Sequence, residues 1–157
     1  ERVASFGTRY VCVTGGEPLA QPNVHRLLAQ LCDAGYRVSL ETSGALDARA
    51  VDRRVVRVFD VKTPGSGEAA RNFLPNLDDL RREDLVKFVI TSRADYEWAR
   101  AFVAEHDLAA RAQVLFSPSF GEIEAASLAE WILADRLPVR FQLQQHKVLW
   151  PGVERGV

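Results

Sequence analysis

Tyr10-Val11-Cys12-Val13-Thr14-Gly15-Gly16-Glu17-Pro18 is the stretch that decides the fold. Its first four residues are an apolar run that reads as a strand. Beyond Pro18, Val24, Leu27, Leu28 and Leu31 recur at helical spacing, with Pro22 expected in the first turn. Strand, glycine-rich turn and helix make one βα unit. Gly15 and Gly16 are expected to let a ligand approach the backbone where a Cβ would block it. Glu17 supplies a carboxylate, and Pro18 stiffens the exit.

The same alternation continues outward from this unit. Strands are expected over 9–14, 37–42, 56–62, 85–91, 112–117 and 139–145, and helices over 22–34, 45–53, 76–82, 94–107 and 124–136. Gly35 marks a helix end. Trp98, Phe102 and Val103 share one helical face, as do Leu128, Trp131 and Ile132. An alternating βαβα chain builds a mostly parallel sheet with helices outside it. Six strands are too few for a closed eight-stranded barrel of about 250 residues. The expected fold is therefore α/β, a partial (open) βα barrel forming one domain over 1–157, with a flat doubly wound sheet as the alternative.

Composition narrows the function. The chain has 157 residues, 47% hydrophobic and 26% charged, which suits a globular domain with a substantial core. A net charge of −1 gives no basic surface for nucleic acid. The basic pairs Arg53-Arg54 and Arg81-Arg82 read as solvated surface. No apolar run approaches the ~20 residues that span a bilayer, so no membrane partner and a cytoplasmic location are expected. The count of methionine is 0, so residue 1 is no initiator and a preceding segment is expected. Cys12 and Cys32 are the two cysteines; both are expected to be buried apolar side chains, and they are too few for an iron–sulfur cluster.

Polar residues collect where the expected strands end. The endings are Thr14-Gly15-Gly16-Glu17, Glu41-Thr42-Ser43-Gly44, Asp60-Val61-Lys62-Thr63-Pro64-Gly65-Ser66-Gly67, Thr91-Ser92, Ser117-Pro118-Ser119 and Gln144-Gln145-His146-Lys147. Ligands bind at the carboxyl edge of parallel α/β sheets. Ser43, Ser92 and Ser119 could instead cap helices. Six polar endings in succession, with carboxylates, lysines and a histidine, favour a site.

Those segments carry a resemblance. Thr14-Gly15-Gly16-Glu17-Pro18 at a strand's carboxyl end resembles the motif by which radical S-adenosylmethionine (SAM) enzymes hold the methionyl amino group of SAM. Together with the Asp60–Gly67 segment, Val86-Lys87-Phe88-Val89-Ile90 and Gln142-Leu143-Gln144-Gln145-His146-Lys147, it makes the chain resemble the 7-carboxy-7-deazaguanine synthase family from Val11 to about Trp150. The resemblance implies a radical SAM barrel that converts 6-carboxy-5,6,7,8-tetrahydropterin to 7-carboxy-7-deazaguanine with loss of ammonia, in 7-deazapurine (queuosine) biosynthesis. It implies SAM, a [4Fe–4S] cluster and Mg²⁺ as cofactors, and a homodimer. The family's three cluster cysteines and its magnesium-binding threonine have no counterpart here, so the chain reads as the family's domain without its cluster-bearing amino-terminal part.

Roles follow from the resemblance. Gly15, Gly16 and Glu17 are assigned to the SAM amino group, since an ammonium only donates. Thr14 is assigned to the same cofactor region, where it bonds a ligand or merely caps. Glu41, Thr42 and Ser43 are expected near the ribose and methionyl carboxylate, and Ser117 joins the SAM set. Lys62 and Ser66 flank a loop open to a carboxylate, unless Lys62 simply pairs with Asp60. Lys87 either reaches the site or snorkels to solvent. Strand alternation puts His146 on the face of Gln142 and Gln144, so Gln144, His146 and Lys147 are assigned to the pterin. His25 and His106 read as surface. The rival readings are a cluster-less SAM- or pterin-binding module, which upstream sequence would distinguish, and another radical SAM enzyme such as a glycyl-radical activating enzyme.

Overall fold

The computed structural model describes residues 2–150 and Gly152. Six strands form one parallel sheet: β1 (Tyr10–Val13), β2 (Arg37–Thr42), β3 (Val56–Asp60), β4 (Leu85–Ile90), β5 (Gln113–Pro118) and β6 (Arg140–Phe141). The helices are α1 (Val24–Asp33), α2 (Pro75–Asp78), α3 (Arg93–Glu105), α4 (Leu108–Arg111), α5 (Ala125–Ala134) and α6 (Gln145–Leu149). Strand order follows chain order, β1 to β6, with no reversal. Successive right-handed crossovers without a reversal put every connecting helix on the same face. The sheet is thus wound in one direction, as in part of a barrel, and the doubly wound alternative is excluded.

Burial shows the same one-sidedness. On β2, Val38, Leu40 and Thr42 are buried, while Ser39 and Glu41 between them are not. On β4, Val86, Phe88 and Ile90 are buried and Leu85, Lys87 and Val89 only half so. The outward set packs against the helices in two clusters. One holds Val24 and Leu28 of α1 with Val38, Leu40 and Phe59. The other holds Tyr96, Phe102 and Val103 of α3, and Leu128 and Ile132 of α5, with Phe88 and Phe116. A parallel sheet covered on both faces would read as continuous apolar runs. Here the inner face carries Cys12, Ser39, Glu41, Asp60 and Lys87 in register (Cys12 opposite Ser39, Asp60 opposite Lys87). Among the described residues no helix is long and apolar enough to cross a membrane.

Several local expectations fail for identifiable reasons. Residues 45–53 form turns, not a helix. Asp47 accepts from the backbone N–H of Arg49 and Asp52 from that of Arg54, each at 2.9 Å, and both carboxylates also hold the arginine side chain. Such local side-chain bonds compete with a helical ladder. The segment expected to be helical at 76–82 shortens to the single turn α2, because Asp84 captures the N–H of Arg81. Helix α1 begins at Val24, leaving Pro22 before it. Gly35 does end α1, at φ 83°, with Tyr36 N–H donating to Leu31 and Gly35 N–H to Cys32. The short helix α4 was not expected.

Two further corrections concern side chains, and a third the end of the last strand. Cys12, expected buried, is exposed, because it lies on the inner face that no helix covers. Arg81, expected to be solvated, is mostly buried and donates to the carbonyls of Arg53 and Val55 and to Asp84. The strand expected over 139–145 stops at Phe141. Gln142 N–H makes one more bond, to Phe116, and the chain then turns into α6.

Candidate functional site

The loop after β1 is built around Glu17. Gly15 and Gly16 have φ of 100° and 57°, which only glycine adopts readily, and a Cβ on either would meet nothing within 4 Å. Backbone conformation, not crowding, therefore demands both glycines. Glu17 caps the 3₁₀ turn Pro18–Ala20 by accepting from Leu19 N–H at 3.0 Å. It also accepts from the Thr42 hydroxyl at 2.9 Å, from Ser43 N–H at 2.8 Å and from the Ser43 hydroxyl. Burial opposes ionisation here, but the bonds from Ser43, Leu19 and Thr42 outweigh it and hold the carboxyl below the usual range. The carboxylate assigned to SAM thus fastens the end of β1 to the end of β2, and Thr42 and Ser43 serve the same clasp.

A second clasp holds the loop after β3. Asp95, in the first turn of α3, accepts from the Thr63 hydroxyl at 2.9 Å and from Gly65 N–H at 2.8 Å, and from the Thr91 hydroxyl. A Cβ on Gly65 would overlap the Asp95 carboxylate and the Thr91 hydroxyl, so here glycine serves close packing. Desolvation pushes Asp95 up, yet the bonds from Thr91, Gly65 and Thr63 bring it below its ordinary value. Ser92 caps α3 by accepting from Asp95 N–H at 3.2 Å. Asn72 pairs with both backbone groups of Lys62 at 2.9 Å, and Asn76 clasps residues 44–48. Asp95, Asn72 and Asn76 were missed in the sequence. An Asp three residues after a Ser at a helix start was the available signal for Asp95.

The two clasps consume several expected ligand groups. Ser66 donates its hydroxyl to the Thr63 carbonyl at 2.6 Å. Lys62 pairs with Asp60 at 2.7 Å. By contrast, the Ser117 hydroxyl and Asp60 Oδ1 are buried on or beside the inner face with no hydrogen-bond partner in the structure. Thr14 and Gly15 line a different place, a cavity of about 550 Å³ against α1 with Val13, Val24 and Leu27.

The inner face offers a cavity of about 320 Å³ at the carboxyl edge. Glu41, Lys87, Gln142, Gln144, His146 and Trp150 are among its lining residues. His146 reaches it from α6, not from the continuation of β6, so strand alternation is the wrong reason for its proximity to Gln144. Lys147 is not among the lining residues, and neither is Ser117. Lys87 does reach the site: from β4 it lines the same cavity as Glu41 of β2.

A one-sided parallel sheet with glycine turns, carboxylates and a polar cavity at its carboxyl edge defines a partial, open βα barrel with a candidate ligand site at that edge. Two solved structures share that fold. QueE from Escherichia coli aligns with a TM-score of 0.69 over 91% of this chain and 60% of its own, at 19% identity. Streptococcus suis SuiB, solved bound to S-adenosylmethionine, aligns with a TM-score of 0.58 over 94% and 42%, at 14% identity. No family model matches the chain. Sequence identifies the family: the 7-carboxy-7-deazaguanine synthase of Chlorobaculum tepidum is 45% identical over 160 aligned residues, covering 99% of this chain and 72% of that protein. The chain belongs to the 7-carboxy-7-deazaguanine synthase family.

Proposed function

We propose that this chain binds SAM and 6-carboxy-5,6,7,8-tetrahydropterin for ring contraction to 7-carboxy-7-deazaguanine in 7-deazapurine (queuosine) biosynthesis. The observation that carries the reading is the inner-face cavity. It sets one carboxylate, Glu41, one ammonium, Lys87, and the amides of Gln142 and Gln144 around a space at the carboxyl edge. A flat, polar heterocycle needs in-plane donors and acceptors, which these groups supply. Family membership supports this substrate class.

The implied cofactors fit unequally. SAM fits the residues present: the Gly15-Gly16 turn is open, and Ser117 keeps a hydroxyl without a partner. SAM bound there would supply the hydrogen-abstracting 5′-deoxyadenosyl radical once a one-electron reductant, in this family a [4Fe–4S] cluster, cleaved it with release of methionine. Glu17 acts indirectly, holding the turn against β2, and Asp95 holds the Lys62–Ser66 loop in the same way. The iron–sulfur cluster does not fit. Cys12 lies on the inner face of β1, while Cys32 on α1 packs against the helix-side core. Among the described residues no group of three His, Cys, Asp or Glu side chains could hold a metal ion, and Mg²⁺, which commonly binds through one or two protein oxygens and the substrate, is assigned to no residue here. No step is assigned to either group. The elements of the substrate equal those of the product plus ammonia, so the conversion consumes no oxidant.

Titration calorimetry tests the reading. The chain should bind SAM saturably, and the carboxytetrahydropterin after it. An absence of SAM binding would overturn the proposal. A second reading is a binding module without radical chemistry, since Cys12 and Cys32 lie on opposite sides of the sheet and cannot share a ligand. Anaerobic incubation of the full-length protein, supplied with iron, sulfide, SAM, substrate and a reductant, separates the two: product formation supports the enzyme, and binding without product supports the module. A homodimer in the cytoplasm goes with the enzyme reading, and light scattering checks the dimer.

A further inference from the structure

Lys87 is a cation of the inner face that makes no ion pair among the described residues. It stands in the middle of a central strand, between Val86 and Phe88, whose side chains are fully buried on the other face. Its ladder neighbours are Asp60 on β3 and Leu115 on β5. Asp60 is the carboxylate that would neutralise it, but Lys62 already holds Asp60 Oδ2 at 2.7 Å. Among the described residues Lys87 makes no ion pair, and neither does Glu41. A half-buried ammonium without a partner is costly, and folding gains nothing visible from it. The cavity it lines has its opposite charge two strands away, on β2. Two strand spacings put the poles roughly 10 Å apart across the sheet. The amides of Gln142 and Gln144, which follow β6, and the side chain of Trp150 line the same cavity.

From this geometry we propose that Lys87 determines specificity by reading the carboxylate of a planar carboxylated heterocycle, while Glu41 accepts from the N–H edge at the ligand's other end. A rigid ring of about that span would bridge the two charges, whereas a ring lacking the carboxylate would leave Lys87 unpaired. The inference rests on the reading of the cavity as the pterin site, and it goes further in assigning which residue distinguishes the carboxylated ring from the plain one.

The test uses two stable fluorescent probes, 6-carboxypterin and unsubstituted pterin, titrated into the whole chain. The wild-type protein should prefer 6-carboxypterin by at least about tenfold, the loss expected for one charge-assisted hydrogen bond. Lys87→Met should lower affinity for 6-carboxypterin by a similar factor and leave pterin within about twofold. Lys87→Arg should restore most of the preference. Glu41→Gln should weaken both probes together. If the wild-type protein binds both probes equally, or if Lys87→Met weakens both alike, the assignment is overturned while the pterin site stands. If the wild-type protein binds neither probe, the pterin reading itself fails and this inference falls with it. The wild-type preference decides even if Lys87→Met does not fold.

Discussion

The two ends of the sheet use similar residues to opposite purposes. Near the amino ends of β3 and β4, Arg57 is 1% exposed and pairs with the equally buried Asp84, and it reaches Asp79 at 2.8 Å. Arg57 also donates to the carbonyls of Ala48 and Asp79, and Arg81 closes the network on Asp84. Burial would raise the Asp84 carboxyl, but the bonds from Arg57 and Arg81 hold it low. Every charge in this network has a protein partner. At the carboxyl edge, Glu17 and Asp95 are also saturated by protein, but Lys87, Glu41, the Ser117 hydroxyl and Asp60 Oδ1 are not. The contrast teaches that polar content alone does not mark a site; unspent polar content on an open face does. In parallel βα folds the amino end serves stability and the carboxyl end ligands.

The largest effect that would break this comparison lies at the amino end. Arg57→Ala leaves Asp84 charged, buried and short of its main partner, and should cost about 3–5 kcal/mol. Urea unfolding measures it. A loss under about 1 kcal/mol would mean that the network does not hold that end together.

Next in size is Asp95→Ala, which strands the Thr63 and Thr91 hydroxyls and the Gly65 N–H. It should cost about 2–3 kcal/mol. Its pH signature sharpens the test. The folded carboxyl lies below its ordinary value, so its stabilisation is full above the unfolded value near 4 and disappears as pH falls through the lower folded value. Asp95→Asn should therefore flatten the acid limb of stability measured below about pH 4, and an unchanged limb would exclude this role.

Gly65→Ala forces a methyl group against the Asp95 carboxylate. It should cost about 1–3 kcal/mol by thermal or urea unfolding. A neutral result would show that the loop after β3 yields easily, and would weaken the picture of a rigid edge.

The smallest effect is the most telling about function. Ser117→Ala removes a buried hydroxyl that has no partner, so stability should hold or rise by up to about 1 kcal/mol. SAM affinity by calorimetry should fall. If stability falls instead and SAM binding is unchanged, the hydroxyl belongs to the fold.

Much of the fold was legible in the chain. The run Tyr10–Val13, its glycines and the helical spacing of Val24, Leu28 and Leu31 specify a βα unit locally, and repetition of that unit implies a parallel sheet. Polar strand endings located the edge on which the site is built. Segments 45–53 and 139–145 were misread because period and propensity ignore competing bonds from Asp47, Asp52 and Asp84, and ignore the end of a sheet. The buried pair Arg57–Asp84 was invisible because 27 residues separate its partners.

What the sequence determined by itself is therefore the order of the six strands, their parallel βα connection and the edge of the sheet that carries polar endings. These depend on residue spacing and backbone preference, which act over a few positions. The tertiary structure decided which polar groups remain available. Glu17 and Lys87 look alike in sequence as charged residues at or within a strand. Only the placement of Thr42 and Ser43 beside Glu17, and of Lys62 beside Asp60, consumes the first and leaves the second unpaired, because hydrogen-bond capacity is settled by neighbours brought together in space.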